Sequence, residues 1–366
     1  MADAPVPMLP DYGGACIANV AAALRQESGH PDWIPAPARA SQVALLVLDG
    51  LGWEQLQARP DVAPFLSSMA GGPITSVAPT TTATALTSIT TGAPPSVHEV
   101  VGYRVKVGAA DVLNVLRWRT AAGDADQVVP EEFQTQPVFG GTSPVVVTRA
   151  EFQPTGFTHA HLAGTRFHGW RLGSSLPVIV GSVLEAGEPF VYAYYDGIDK
   201  IAHERGFGDC YDAELRAADQ LVAALAARLP RGAALAVTAD HGQVEVGDAT
   251  MALTPDVLSS TQMVSGEGRF RWLHACPGER DILLKRAQAA FGDVAWIRTV
   301  DELEAEGWFG GPLTPAGRSR LGDVAIIAHQ PVAFADPADP GERGLRCRHG
   351  SATSAEMLVP LLAVSG

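Results

Sequence analysis

Three segments of the chain share one design: a short apolar, β-branched or aromatic run that ends in an acidic residue and a glycine-bearing loop. They are VALLVLDG (Val43 to Gly50), FVYAYYDG (Phe190 to Gly197) and ALAVTADHG (Ala234 to Gly242). Continuous apolar runs of this length suit strands of a parallel sheet covered by helices on both faces. Each acidic residue then falls at the carboxyl end of its strand, on the rim where open α/β sheets bind ligands. Between the second and third runs, Leu215, Ala218, Val222, Leu225 and Leu229 recur at helical spacing. Strand then helix, repeated, predicts an α/β fold with a doubly wound, mostly parallel central sheet.

Two stretches interrupt this rhythm. Residues from about 104 to 170 are rich in Gly, Pro, Thr and His and contain RVKVGAADVLNVLRW, which reads as strand fragments and long loops near the site. From 248 to 320, RFRWLHA, ERDILLKRAQAAFG and VAWIRTV give a strand, helix, strand pattern before the turn-rich FGGPLTPAGRS. That pattern predicts a small inserted α+β lid at 248–320, with 1–247 and 321–366 forming the catalytic body. The chain re-enters that body through DVAIIAH and ends in what reads as an amphipathic segment after His349. With 366 residues, 46% of them hydrophobic, there is enough apolar material for one large core and an inserted lobe.

Lys plus Arg number 26 and Asp plus Glu 40, a net charge of −14 that repels nucleic-acid polymers and anionic membranes. A local metal cluster can still invert the field in one cleft, so small phosphate compounds remain acceptable partners. Cys16, Cys210, Cys276 and Cys347 stand far apart, with no zinc-ribbon spacing, and read as ordinary buried or half-buried thiols. The N-terminus places Asp3 and Pro5 where a secretion signal would be basic and then apolar, and no apolar run reaches membrane-spanning length. The expectation is a soluble, cytoplasmic protein.

The chemistry sits at the strand ends. Asp49 precedes Gly50, Leu51 and Gly52, a backbone able to turn sharply against a ligand. Asp240 and His241 are adjacent on a tight turn and can reach one cation, and such an oxygen and nitrogen mixture suits zinc or manganese. Asp199 and His203 lie at i and i+4 and face one side of a helical turn, with Asp196 at the strand end as the rival carboxylate. His349, on a His-Gly loop, is positioned to return a further ligand to the same rim. In SVAPTTTATALTSITTG, Pro79 stops any preceding helix and Thr82 opens the next, where free N–H groups and the helix dipole favour an alkoxide and a phosphate. A capping or β-prone role for that threonine run, and capping or surface roles for the isolated Asp and His residues, are the competing readings.

VLDGLGW, APTTTATALTSITTG with APPSVHEVVGY, DGIDKIAH, TADHG and HGSATSAEMLVPLL together resemble, in order, the alkaline phosphatase superfamily, and within it the type I phosphodiesterase and nucleotide pyrophosphatase family. The resemblance spans residues 43 to about 363. It implies an alkaline phosphatase-like fold and two divalent cations, zinc or manganese. One would be held by Asp49, Thr82, Asp240 and His241, the other by Asp199, His203 and His349. Counting back from Thr91 and Gly92, it also implies Thr82 as nucleophile rather than Thr81 or Thr84. Eukaryotic-type members carry Phe-Pro-Asn-His after the nucleophile, whereas this chain has Ala83 to Leu86, and Tyr103 replaces an asparagine expected after the VVG step. Asn114 is the candidate to hydrogen-bond substrate phosphate in its place.

The expected reaction is hydrolysis of a phosphodiester or nucleotide pyrophosphate bond through a covalent threonine intermediate. A phosphomonoesterase or phosphonate-cleaving hydrolase of the same superfamily is the alternative, and a noncatalytic metal-binding member the alternative of another class. Absence of GxSxG and of GxGxxG after a strand disfavours α/β-hydrolase and dinucleotide-binding readings. Trp53, Trp118, Phe167 and Trp170 are candidates either for a pocket wall or for core.

Overall fold

The apolar runs become strands because, as uninterrupted Val, Leu, Ala and aromatic sequences, they can be covered on both sides without stranding a polar group. The computed structural model of the chain describes residues 5–366 apart from 27, 122, 125, 126 and 343; Asp3 of the N-terminal reading lies outside them. In chain order the principal strands are β1 (Gln42–Leu48), β2 (Ala70–Thr75), β3 (Val145–Arg149), β4 (Arg166–Trp170), β5 (Phe190–Tyr195) and β6 (Ala233–Thr238). They continue with β7 (Thr261–Glu267), β8 (Phe270–Ala275), β9 (Ala295–Thr299), β10 (Val324–Ala328) and β11 (Leu358–Ser365). The principal helices are α1 (Ile17–Leu24), α2 (Thr82–Thr91), α3 (Leu176–Glu185), α4 (Gly197–Arg205), α5 (Asp209–Ala226) and α6 (Arg280–Phe291).

A seven-stranded sheet, ordered β2-β11-β6-β1-β5-β3-β4, forms the body. Its pairs are parallel from β6 through β4, and β11 runs antiparallel to both β6 and β2. Helices flank the sheet: α3 packs on β1, β3, β5 and α5, and α1 packs on α2. β1 lies between β5 and β6 with Leu48 beside Tyr195 and Val47 beside Thr238, so all three acidic strand ends emerge at one rim. Six of the seven β1 residues and all six of β6 are buried. Each fully covered Val or Leu contributes about 1.5–3 kcal/mol relative to exposure, so the rim rests on the firmest part of the fold.

The C-terminal segment differs from the amphipathic reading. A short helix at Ser354–Met357 leads into β11, whose middle residues are all buried because the strand fills the gap between β6 and β2. The boundary of the inserted lobe is also corrected. β10, assigned from sequence to the returning body, lies between β8 and β9 in a separate antiparallel sheet ordered β7-β8-β10-β9. Thr250–Met251 pairs with Ala333–Phe334, so the lobe closes at about residue 334 rather than 320. The reason is amphipathic alternation that apolar content alone concealed. Phe270, Trp272, Ala325 and Ile327 join the main core, while Leu273, Val324, Ile326 and Ala328 pack with Leu283, Ala287 and Phe291 of α6. One face of the lobe is thereby continuous with the body.

The region after residue 104 does form strand fragments, with a hairpin of Arg104–Val107 and Asp111–Asn114. All four cysteines are free, and Cys210 is exposed rather than buried. Among the described residues no helix is long and apolar enough to cross a membrane.

Candidate metal centre

Asp49 follows β1, Asp240 and His241 follow β6, and Asp199 and His203 sit one turn apart on α4. His349 comes from the loop after the two-residue strand Cys347–Arg348, and Thr82 is the first residue of α2, with Thr81 as its extended N-cap. The structure brings all seven together. Asp49 Oδ1, Asp240 Oδ2 and His241 Nε2 belong to one close group, and Asp199, His241 and His349 to a second. His203 Nε2 lies 3.2 Å from Asp199 Oδ1. Thr82 Oγ1 lies 3.1 Å from Nε2 of His241, the residue common to both groups, and Thr82 stands in the first turn of α2, whose N–H groups have no partner within the helix.

The histidine tautomers show how the centre is prepared. Nδ1 of His241 meets the Gly242 carbonyl at 3.1 Å, Nδ1 of His349 the Thr80 carbonyl at 2.8 Å, and Nδ1 of His203 the Cys347 carbonyl at 2.6 Å. A carbonyl only accepts, so each Nδ1 carries a proton and each Nε2 is the nitrogen turned to the shared space. Imidazoles ligating a metal are held this way, the outer N–H fixing ring orientation. The carboxylates are fixed similarly. Asp240 Oδ1 accepts from the N–H groups of Gly50 and His241 at 3.0 Å each, Asp49 Oδ2 from the Tyr194 hydroxyl, and Asp199 Oδ1 from Gln243 Nε2 at 3.0 Å.

Asp49 Oδ1 and Asp240 Oδ2 are left buried without a hydrogen-bond partner. Burial first, then the charges of Asp240 and Asp199, pushes the Asp49 carboxyl well above the usual carboxylate range. Burial likewise raises Asp199. His349 is driven well below the usual imidazole value by burial and by the nearby His241 and His203, which keeps it neutral and able to ligate. Orphaned carboxylate oxygens beside imidazole Nε2 atoms form a donor set that fits divalent cations. Zinc and manganese both accept this oxygen and nitrogen mixture.

Other sequence candidates fall elsewhere. Asp196, the rival to Asp199, is held by Arg149 at 2.6 Å and Lys200 at 2.5 Å, its charge answered by side-chain cations. Asn114 donates to the Tyr103 hydroxyl and accepts from the Arg117 N–H at 3.0 Å, and it lines a separate cleft from those at Thr82. The hairpin register that pairs it with Arg104 directs it there. Trp118 packs edge-on against Phe133 and Trp170 stacks on Tyr195. Neither they nor Trp53 nor Phe167 line the two cavities that meet at Thr82.

Those cavities have volumes of about 280 and 670 Å³ and share Thr82, Leu116, Arg117 and Asp199. Glu267 and Arg348 wall the smaller, and Leu86, Phe152, Phe157, Leu162, Tyr192 and Lys200 the larger. Sequence reasoning missed these, together with Tyr194 and Gln243 behind the carboxylates. Only Gln243 carried a signal, through its position directly after Asp240, His241 and Gly242.

Comparison with known proteins agrees with the geometry. No curated protein sequence matches the chain. Its fold is similar to murine ectonucleotide pyrophosphatase / phosphodiesterase 5, with TM-score 0.64, 14% identity and 87% of each chain covered. It is also similar to an inactive variant of that murine protein in complex with AMP, at 13% identity, TM-score 0.64 and coverage of 88% and 87%. Phosphonoacetate hydrolase from Sinorhizobium meliloti 1021, in complex with phosphonoformate, gives TM-score 0.63 at 17% identity over 91% and 90% of the two chains. Residues 43–352 match the type I phosphodiesterase / nucleotide pyrophosphatase family. The chain therefore belongs to the type I phosphodiesterase / nucleotide pyrophosphatase family and is a hydrolase of phosphoric esters.

Proposed function

We propose that the protein cleaves small phosphodiesters or nucleotide pyrophosphates with two divalent cations and a covalent intermediate on Thr82. The observation that carries this reading is the Thr82 hydroxyl at 3.1 Å from Nε2 of His241, the residue that two carboxylate and imidazole groups share. Asp49, Asp240, His241 and Thr82 would hold one cation and Asp199, His203 and His349 the other, with zinc favoured and manganese acceptable. Cations so held supply charge neutralisation and lower the pKa of a bound hydroxyl or water.

The chain's own groups account for the remaining steps. The N–H groups opening α2 stabilise charge at the Thr82 oxygen as it attacks phosphorus. A bond forms between Thr82 Oγ1 and phosphorus while the ester oxygen opposite departs with a proton. Water then attacks the phosphothreonine, releasing the acid and restoring the hydroxyl. Two cavities meeting at Thr82 favour a diester, which has two substituents to place, over a monoester.

A phosphomonoesterase or phosphonate-cleaving activity is the second reading. It draws support from the fold likeness to a phosphonoacetate hydrolase and from Arg117 and Lys200 beside the larger cavity, where an anionic substituent would be accepted. Comparing turnover of bis(4-nitrophenyl) phosphate, 4-nitrophenyl phosphate and phosphonoacetate, alongside elemental analysis, separates the readings. The expected result is two metal equivalents and preference for the diester. A metal-free, inactive protein would instead support the noncatalytic member of the fold.

A further inference from the structure

Besides Thr82 and Asp199, the two cavities share Leu116 and Arg117, which form the tip of one hairpin turn. That turn, residues 115–118, is closed by the pairing of Asn114 with Arg119. Its shape is fixed at both ends. Asn114 uses its whole amide there: Oδ1 accepts from the Arg117 N–H at 3.0 Å and Nδ2 donates to the Tyr103 hydroxyl. The Val115 N–H donates to the Tyr103 carbonyl at 2.9 Å. Trp118 takes φ +52, a left-handed conformation that a bulky residue keeps only where its surroundings impose it. Its Nε1 donates to the Val128 carbonyl at 2.7 Å and its ring meets Phe133 edge-on. Gly156 lies so close that a Cβ there would stand 2.2 Å from Trp118 Cγ.

The side chain that this rigid turn presents is left without a partner. Among the described residues no hydrogen bond or ion pair holds the Arg117 guanidinium. The residue is exposed and lines both cavities alongside Thr82. Its Nη2 lies 4.0 Å from the position that a Cβ would take at Gly341, another wall residue of the smaller cavity. By contrast, Lys200 is held by Asp196 and Arg348 by the Glu342 carbonyl, while the Glu342 carboxylate already pairs with Arg271. An arginine stays charged at every working pH, and its planar fork of donors matches two oxygens of one phosphoryl group. A phosphate seated at Thr82 therefore has one uncommitted, permanently charged side chain over the junction of its two cavities.

We propose that Arg117 is a substrate-binding residue whose guanidinium donates to nonbridging oxygens of the phosphoryl group attacked by Thr82, and that Asn114 is a positioning residue acting on that phosphate only through the Arg117 turn. The inference rests on the phosphoesterase reading and deepens it by naming the side chain that recognises the phosphoryl group. It gives Asn114, whose amide is fully used within the hairpin, an indirect part in that recognition.

The test uses the metal-loaded full chain and the variants Arg117→Ala, Arg117→Lys, Asn114→Ala and the double replacement of both residues by Ala. Binding of inorganic phosphate is measured by calorimetry, with bis(4-nitrophenyl) phosphate kinetics, metal content and thermal stability followed in parallel. Loss of hydrogen bonds between charged groups should weaken phosphate binding by Arg117→Ala roughly 10- to 100-fold and lower kcat/KM for the diester to a similar extent, at native metal content and stability. Arg117→Lys keeps the charge without the fork and should lose less. Asn114→Ala, which frees the turn, should weaken phosphate binding roughly two- to tenfold in the native background and not at all in the Arg117→Ala background. Equal losses in both backgrounds would overturn the positioning role of Asn114. Native-like phosphate binding by Arg117→Ala would overturn the role of Arg117, as would a loss confined to phosphonoacetate, which would place the guanidinium on a substituent instead. A native chain that hydrolyses none of the esters would sink the phosphoesterase reading itself, whereas an active native chain indifferent to Arg117 sinks only this inference.

Discussion

Arg269 and Glu356 form a two-pronged, fully buried ion pair, with Nε to Oε1 and Nη2 to Oε2 both at 2.8 Å. Arg269 leads into β8 of the lobe and Glu356 precedes β11 of the body. Glu356 Oε1 also accepts from the Ser351 N–H at 3.0 Å, and its backbone carbonyl from the Gly242 N–H at 2.8 Å. One buried carboxylate therefore ties down the loops that carry His349 and His241. Replacing either partner alone strands a buried charge, so Arg269→Met or Glu356→Ala should cost about 3–5 kcal/mol in chemical denaturation. The apolar double replacement should recover much of that loss, and strictly additive losses would show that the two act independently.

Thr82→Ala should lower kcat by roughly 10³-fold or more, as removal of a catalytic nucleophile does, while leaving bound metal in place. Elemental analysis and trapping of a phosphorylated threonine in the native chain check the two halves. Turnover near the native level in the variant would exclude Thr82 as nucleophile.

Asp199 and Asp196 are distinguished by their partners, so their amides should behave differently. Asp199→Asn removes a carboxylate beside His203 and should reduce bound metal from two equivalents towards one. Asp196→Asn breaks the contacts to Arg149 and Lys200 and should leave metal content near native. Metal loss in Asp196→Asn with retention in Asp199→Asn would exchange their roles.

His98 gives the fold an acid limit. Its Nδ1 accepts from the Val100 N–H at 3.1 Å, so Nε2 carries the proton and meets Ser88 Oγ at 2.7 Å. Burial, the leading cause, lowers it to about 3. With the folded value depressed, the unfolded chain binds the proton first. Stability is whole above about pH 6.5 and falls as pH drops towards 3, by about 1.4 kcal/mol per pH unit from this group. Urea unfolding of the native chain and of His98→Asn between pH 7 and 4 should show the variant's slope smaller by about one proton; equal slopes would contradict the assignment.

The strand ends at Asp49 and Asp240 were legible in the sequence because an apolar run stopped by an acidic residue has one physical meaning in a covered parallel sheet. Thr82 was legible as a helix opening, since Pro79 and the run after it leave few other conformations. The lobe boundary was not legible. Val324 to Ala328 is as apolar as β1, and apolar content does not say whether a strand joins the main sheet or is sandwiched between that core and α6. The cleft that Asn114 lines was not legible for a related reason: a side chain's direction in a hairpin follows from register, which a local stretch of sequence does not reveal.

The sequence by itself determined the α/β class, the shared rim and the candidate ligands, because strand periodicity and residue chemistry are local properties. Tertiary structure alone decided which donors face one another. The three Nδ1–H groups find carbonyls of Gly242, Thr80 and Cys347, Asp196 is drawn to Arg149 and Lys200, and Glu267 enters the cavity from the lobe. These pairings join residues up to hundreds of positions apart. They exist because burial forces each polar group to find a partner, and only the packed chain determines which partner is within reach.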